Sequence, residues 1–514
     1  MATLNVTTLN IASLTIGGTL PAGSTVISFA SVPTLIGPTN GMLIIDPYTI
    51  EAELRLVVST TGTTIAVAAT TYDHANGDNC IFIPFGLVPW TFWGAKGTGS
   101  TGDATNNVTG FNRLTNQIYA IGVTHGPTGI FMPNGLYYVD GELRLERDQK
   151  LVGGDVDACS IKAHTTFPFD GTGEIAIIHT YRDGVATIYA TPGASGRWPM
   201  SDFNVQGGDI ANSNGILSSP QQPDHWENMR IDHCAGLYGV CLADVQQFQM
   251  TNMEFIANNI ALRYRSASFV WCRTLNIEQS TTGDFIAEIQ GGGGGSCNEN
   301  TFDGVHLESP LTAGQKYFNI GAGVMWNFKN VLVSNQATSS ILFYMNQGAE
   351  SISDYPVFTL ENILANQNDA TFLMVNDVGR GLTINSQEDS RIIPFLCSGT
   401  SQNYWSMRVM ANGQIKSLYS RSGLVAAPTI APTIASSGTI APVAPITLIS
   451  GTSTISTITA PAPISVTGGQ ITLIPTGLWA TNTAGNIALA TTAVVSKALN
   501  LTFDQSTSKW YPSY

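Results

Sequence analysis

Residues 92–122 read FWGAKGTGSTGDATNNVTGFNRLTNQIYAIG. A strand end gives way to a Gly-rich turn, after which Val108, Phe111, Leu114 and Ile118 recur at i, i+3, i+6 and i+10. That spacing lays four apolar side chains along one helical face. Asp103 or Thr105 is placed to cap the first turn. The next stretch, GIFMPNGLYYVDGELRLERDQKLVGGD, turns at once to short strands near 130–132, 137–139, 143–145 and 150–152. One helix ahead of a long run of strands suits a plug over the open end of a stacked β structure. The raw edge of such a stack would otherwise recruit further strands.

The strands downstream repeat. DFNVQG, NMRIDHC, NMEFIAN, TLNIEQS, DGVHLES, KNVLVSN and ENILANQ place Val205, Ile231, Phe255, Ile277, Leu307, Val333 and Ala365 in one column, at offsets of 26, 24, 22, 30, 26 and 32 residues. Each offset is one coil plus a loop of variable length, the mark of a solenoid. Stacked coils pair each backbone with the coil above and below, and side chains alternate between a narrow apolar core and solvent. The column predicts which outward residues meet. One step after it stand Gln206, Asp232, Ile256, Glu278, Glu308, Ser334 and Asn366; one step before it stand Asn204, Arg230, Glu254, Asn276, His306, Leu332 and Leu364.

Glu278 and Glu308 therefore project from neighbouring coils, with Cα atoms ~4.8 Å apart, and Asp232 sits two coils from Glu278, ~9.6 Å away. Carboxyl separations of about 5 Å suit a retaining glycosidase and roughly 6.5–9.5 Å an inverting one. Two adjacent like charges also favour a raised pKa on one of them, which a general acid needs. Glu278, Glu308 and Asp232 are the catalytic candidates, with His306, Arg230 and Trp271 as substrate-binding candidates. The competing reading is a solvated polar face, or a pair of glutamates holding a cation.

Composition narrows the function. Of 514 residues, 43% are hydrophobic and only 11% charged, with 52 glycines, a balance suited to a rigid strand-and-turn protein rather than a disordered chain. The formal charge is −14, from 22 basic and 36 acidic residues. No Lys/Arg cluster occurs, which argues against nucleic acid or an anionic membrane surface. No run of about 18 apolar residues is present to insert in a bilayer, and MATLNVTTLNIAS lacks the pattern of a secretory signal. Seven scattered cysteines form no CxxC pair and read as free buried thiols of a reducing cytoplasm. No metal or cofactor is expected from these spacings. GGGGGSC at 291–297 lacks the ending of a phosphate loop and reads as an inter-coil loop.

GAKGTGSTGDATNNV, IFMPNGLYYVDGELRL and KLVGGD together resemble the opening of the pectate-lyase-like right-handed parallel β-helix of bacteriophage tailspikes and tail fibres. The paired aspartates usual there are replaced by Gly102-Asp103-Ala104. Apolar residues at Leu4, Val6, Leu9, Ile11, Leu14 and Ile16 follow a period of five that resembles the particle-attachment end of phage fibres. The implied class is all-β: a right-handed β-helix with small terminal β domains, as a homotrimer. The expected layout is an attachment segment at 1–18, a small β domain at 19–88, the β-helix with its capping helix at 89–423, and a C-terminal β domain at 424–514 for trimerisation or receptor contact. His74 reads as a turn or hydrogen-bonding residue. Trp226, Trp326, Tyr238 and Tyr317 read chiefly as packing or interface residues, and Trp479, Trp510, Tyr511 and Tyr514 as core ahead of glycan platform.

The resemblance implies a virion protein made in the host cytoplasm. Its N-terminus would hold a tail or head attachment protein, and its β-helix would meet a host cell-surface polysaccharide. Glycan binding with carboxylate-pair hydrolysis, and a non-enzymatic fibre or head decoration spike, both remain open at this level. A polysaccharide lyase fits less well, since it wants a basic proton abstractor and basic residues are scarce. An acidic surface also favours a neutral glycan over a polyanionic capsule.

Overall fold

A computed structural model describes residues 12–513 apart from 33–40, 85, 126–128, 183–184, 187–195, 219–222, 244, 266, 289–296, 298, 309–315, 322–324, 335–340, 346–356, 366–372, 377–381, 387–394, 398–403, 412–413, 422–429, 444–445 and 460–468. Two compact units are distinguished. The first comprises 1–354, 359–378 and 389–398; the second comprises 355–358, 379–388 and 399–514.

The first unit begins with a six-stranded sheet in the order Ala12–Thr15, Asn79–Pro84, Gly41–Ile45, Glu53–Thr60, Thr64–Val67, Val26–Ser28. Leu14 pairs with Cys80, and Leu14 and Ile16 are buried in this sheet's own core. The end of the period-five strip thus docks on its own chain, while Leu4, Val6, Leu9 and Ile11 lie outside the described residues.

The coils follow. Leu143–Glu146, Ile178–Arg182, Ile216–Ser218, Val240–Ala243, Ile260–Arg265, Gly283–Glu288 and Lys316–Ile320 stack in parallel as one face. Met200–Gln206, Asp224–Asp232, Gln246–Ile256, Ser268–Glu278, Asn300–Glu308 and Met325–Val333 stack in parallel as a second, longer row. Each strand of that row turns a corner at a left-handed residue: Asp202, Asn228, Asn252, Thr274, Gly304 and Asn330, with φ between 52° and 72°. Asp, Asn and Gly tolerate this conformation best, and they fill five of the six positions. The corner also resets the alternation. In Ser268–Glu278 the inward residues are Val270 and Cys272 before it and Leu275 and Ile277 after it. Side-chain amides tie successive corners, with Asn228 Nδ2 donating to Asp202 Oδ1 at 3.1 Å and Asn252 Nδ2 to Asn228 Oδ1 at 2.7 Å.

The predicted column is observed. Val205, Ile231, Phe255, Ile277, Leu307 and Val333 are consecutive cross-strand partners, all fully buried. Val357–Ala365 is next in the strand order, and the side chain of Ala365 lies outside the described residues. Aromatic rings fill the core of the later coils, Phe302 stacking on Phe328 at 5.3 Å. Trp226, Trp326, Tyr238 and Tyr317 are all buried, as packing residues are. Six cysteines, at 80, 159, 234, 241, 272 and 297, are buried and form no disulfide among the described residues.

The helix, Ala104–His125, buries Phe111, Leu114 and Ile118 and lies against the first coil. Leu87–Pro89 pairs with Gly129–Met132, and Leu136 bonds to Gly97 and Gly99, so each face of that coil has a cover. Asn112 supplies the cover over Leu143–Glu146: its Oδ1 accepts from Arg144 N–H at 2.7 Å and its Nδ2 donates to Glu142 C=O at 2.9 Å. Gly110 allows the close docking, since a Cβ there would sit 2.3 Å from Trp93 O. The expected cap is corrected. The helix grows from a 3₁₀ turn, Thr101–Asp103; Asp103 instead accepts from Thr98 and pairs with Lys96, while Thr105 donates to Asp140. No helix among the described residues is long and apolar enough to cross a membrane.

In the second unit, Leu382–Ser386 runs parallel to Tyr404–Ala411, which forms a hairpin with Gln414–Arg421. A five-stranded sheet, Ile430–Ala435, Ile446–Ser450, Gln470–Pro475, Leu499–Asp504 and Lys509–Ser513, closes the chain. Trp479 and Trp510 are core residues of this sheet, whereas Tyr511 is exposed.

Candidate functional site

The limb that follows the left-handed corner carries the polar columns. Asn204, Arg230, Glu254, Asn276, His306 and Leu332 are cross-strand neighbours in that order, as are Gln206, Asp232, Ile256, Glu278 and Glu308. Glu278 and Glu308 are therefore on adjacent coils. One carboxylate oxygen of each, with a ring nitrogen of His306, lie within 4.8 Å of one another. The side chains of His306 and Glu308 are 35% and 36% exposed, so the cluster is open to a ligand.

Hydrogen bonds order this cluster. Asn276 Nδ2 donates to Glu278 Oε1 at 2.6 Å, and a carboxylate can only accept, so the amide oxygen must face the other way. There Asn276 Oδ1 accepts from His306 Nδ1 at 2.9 Å, which puts a proton on Nδ1. His306 Nε2 meets Ser334 Oγ at 2.9 Å and lies 3.9 Å from Glu308 Oε2. A neutral His306 thus turns a lone pair, and a charged one an N–H, toward Ser334 and Glu308. Glu278, His306 and Glu308 are also a donor set able to take a divalent cation.

The other candidates stand apart. Asp232 is two coils from Glu278 with Ile256 between them. It is 7% exposed and receives Asn204 Nδ2 at 3.1 Å, with His233 Nδ1 at 3.3 Å. Arg230 spans Glu254 and Asp157, the latter at 3.1 Å. Burial alone would lower its pKa, but the hydrogen bond to Glu254 and the charges of Glu254, Asp157 and Asp232 raise it. Trp271 is 45% exposed on the limb before Thr274, so it faces a different direction from the acids. A groove of about 430 Å³ runs along the corner, lined by Asn228, Asn252, Glu254, Asn276, His306 and, from the loop at 154–158, Val156. Asp157 and the bridging amide of Asn276 have no sequence signal of their own; their parts emerge only from stacking.

No family model matches the chain, and no curated protein matches it. Among solved structures it is similar to ORF18 of Geobacillus virus E2, with 13% identity over 66% of this chain and a TM-score of 0.39. It spans 65% of that protein's length. It is also similar to the catalytic domain of Agl-KA, with 10% identity over 92% of this chain and 85% of that one and a TM-score of 0.41. A hyperthermoactive exopolygalacturonase from Thermotoga maritima shows 12% identity over 66% of this chain and 94% of that one, with a TM-score of 0.36. These are distant likenesses of backbone path, and the site is read from this chain's own residues.

Proposed function

We propose that the chain is a homotrimeric virion spike or fibre that binds a host-surface polysaccharide along its β-helix and hydrolyses it with the Glu278–Glu308 pair. The observation that carries the reading is the registered stacking of these two carboxylates, with His306 beside them and lining a neighbouring groove. The virion setting rests on the sequence resemblance over residues 92–155. Adjacent coils give the short carboxyl spacing, about 5 Å, of a retaining hydrolase. Glu278, held as an acceptor by Asn276, serves as nucleophile, and Glu308, beside His306, as acid and then base. Asp232 and Arg230 belong to the supporting network, and Trp271 offers a stacking face on the neighbouring limb.

The test is to drop purified protein on a lawn of adsorbing hosts and follow the anomeric form of any released sugar by NMR. A translucent halo with retained configuration, lost in Glu278→Gln and Glu308→Gln, is expected. A halo indifferent to both substitutions removes the site. Adsorption without any halo favours the second reading, a structural fibre or decoration spike, which the solvated character of this polar face also accommodates.

A further inference from the structure

The N-terminal sheet holds another cluster, remote in sequence from the groove. Asp46 follows Gly41–Ile45 with φ 51°, and Asp78 precedes Asn79–Pro84. A ring nitrogen of His74 and one carboxylate oxygen from each aspartate lie within 4.8 Å of one another. His74 is only 2% exposed. Its Nε2 lies 3.2 Å from Oε1 of Glu53, a fully buried carboxylate.

The state of Glu53 decides that of His74. Glu53 accepts from the N–H groups of Thr71 and Tyr72 and is paired with Arg55. Glu53 is thus an anion already matched by Arg55. It can only accept, so Nε2 of His74 carries the proton, and in the neutral ring Nδ1 is left with its lone pair. Among the described residues, the hydrogen bond the His74 ring makes is the one from Nε2 to Glu53. A carboxylate holding one ring nitrogen while the other stays bare is the usual support of a metal-binding histidine.

The charge balance points the same way. Among the described residues no Lys or Arg pairs with Asp46 or Asp78. Two negative charges are left over beside a buried, pre-oriented imidazole.

We propose that Asp46, His74 and Asp78 bind one divalent transition-metal ion, zinc by preference, pinning the end of Gly41–Ile45 to the turn that leads into Asn79–Pro84. One imidazole and two carboxylates suit zinc, whereas calcium and magnesium favour all-oxygen shells. The proposal is independent of the glycan reading.

The full chain, stripped with chelator and then titrated with Zn2+, is expected to take up one equivalent at this site. Co2+ in its place should show a visible absorption band. Asp46→Asn and Asp78→Asn, close in shape to the native residues, should each abolish both signals and the Zn2+-dependent rise in Tm. Glu278→Gln, which alters the separate donor set of the β-helix, should leave the uptake, Co2+ band and Tm rise of this N-terminal site intact. If the aspartates are instead balanced by a proton on His74, the stripped chain takes up no metal here. That result, or uptake and Co2+ absorption unchanged in both aspartate variants, would overturn the proposal.

Discussion

Asn107→Ala tests whether the helix is a lid. Asn107 is fully buried on Ala104–His125. Its Oδ1 accepts from Lys96 N–H at 2.8 Å and its Nδ2 donates to Tyr138 C=O at 2.8 Å, joining the helix to both the covering segment and the first coil. Each lost bond costs about 1 kcal/mol net, and stranded buried partners add to that, for a total of about 2–4 kcal/mol. If the first coil opens as a local unit, its amides should exchange ~30- to ~900-fold faster with deuterium. The assay is hydrogen exchange read by mass spectrometry, comparing Gly135–Val139 and Leu143–Glu146 with the inner strand Ser268–Glu278. Faster exchange confined to the first two strands is expected. Unchanged exchange, or an equal rise in the inner strand, would refute the lid.

Leu307→Ala, in the buried column, should cost about 2–5 kcal/mol in denaturant unfolding; a loss under about 1 kcal/mol would contradict close packing there. Asp224 carries a pH signature. Burial pushes its pKa up to about 7, against the N–H groups of Trp198 and His225 that lower it. The folded state therefore holds a proton that the unfolded chain has released. Stability from this group is full below pH ~4 and falls as pH rises toward about 7. Asp224→Asn should flatten that part of a Tm-versus-pH curve, and an unaltered slope would count against the assignment.

The coils were legible because a constant distance hides in their variable length. The corner residue precedes the inward residue by three positions every time: Asn228 and Ile231, Asn252 and Phe255, Gly304 and Leu307. Loop length never enters that count, so the column and the Glu278–Glu308 adjacency could be read from text. Trp271 could not be placed, because its corner is Thr274, a residue type that does not advertise a left-handed turn. The Arg230–Asp157 pair was invisible too, since it joins a coil to a loop whose position depends on packing. The helix follows from its apolar face, but its start does not follow from Asp103 and Thr105, whose side chains have partners outside the helix. The turn around His74 implies a hydrogen-bonding residue, and its Nε2 meets Glu53, whereas its aspartate neighbours lie on separate strands and turns.

The unbroken register across unequal coils means that neighbours are set by how many windings separate two residues, not by how many residues do. Cutting out 233–256, the winding from Asp232 to its partner Ile256, would slide Asp232 into the place beneath Glu278. The same scaffold would then carry three carboxylates in a row, Asp232, Glu278 and Glu308, with no amino acid exchanged. Gain or loss of a whole winding can thus rewrite surface chemistry in one genetic event while leaving the interior intact.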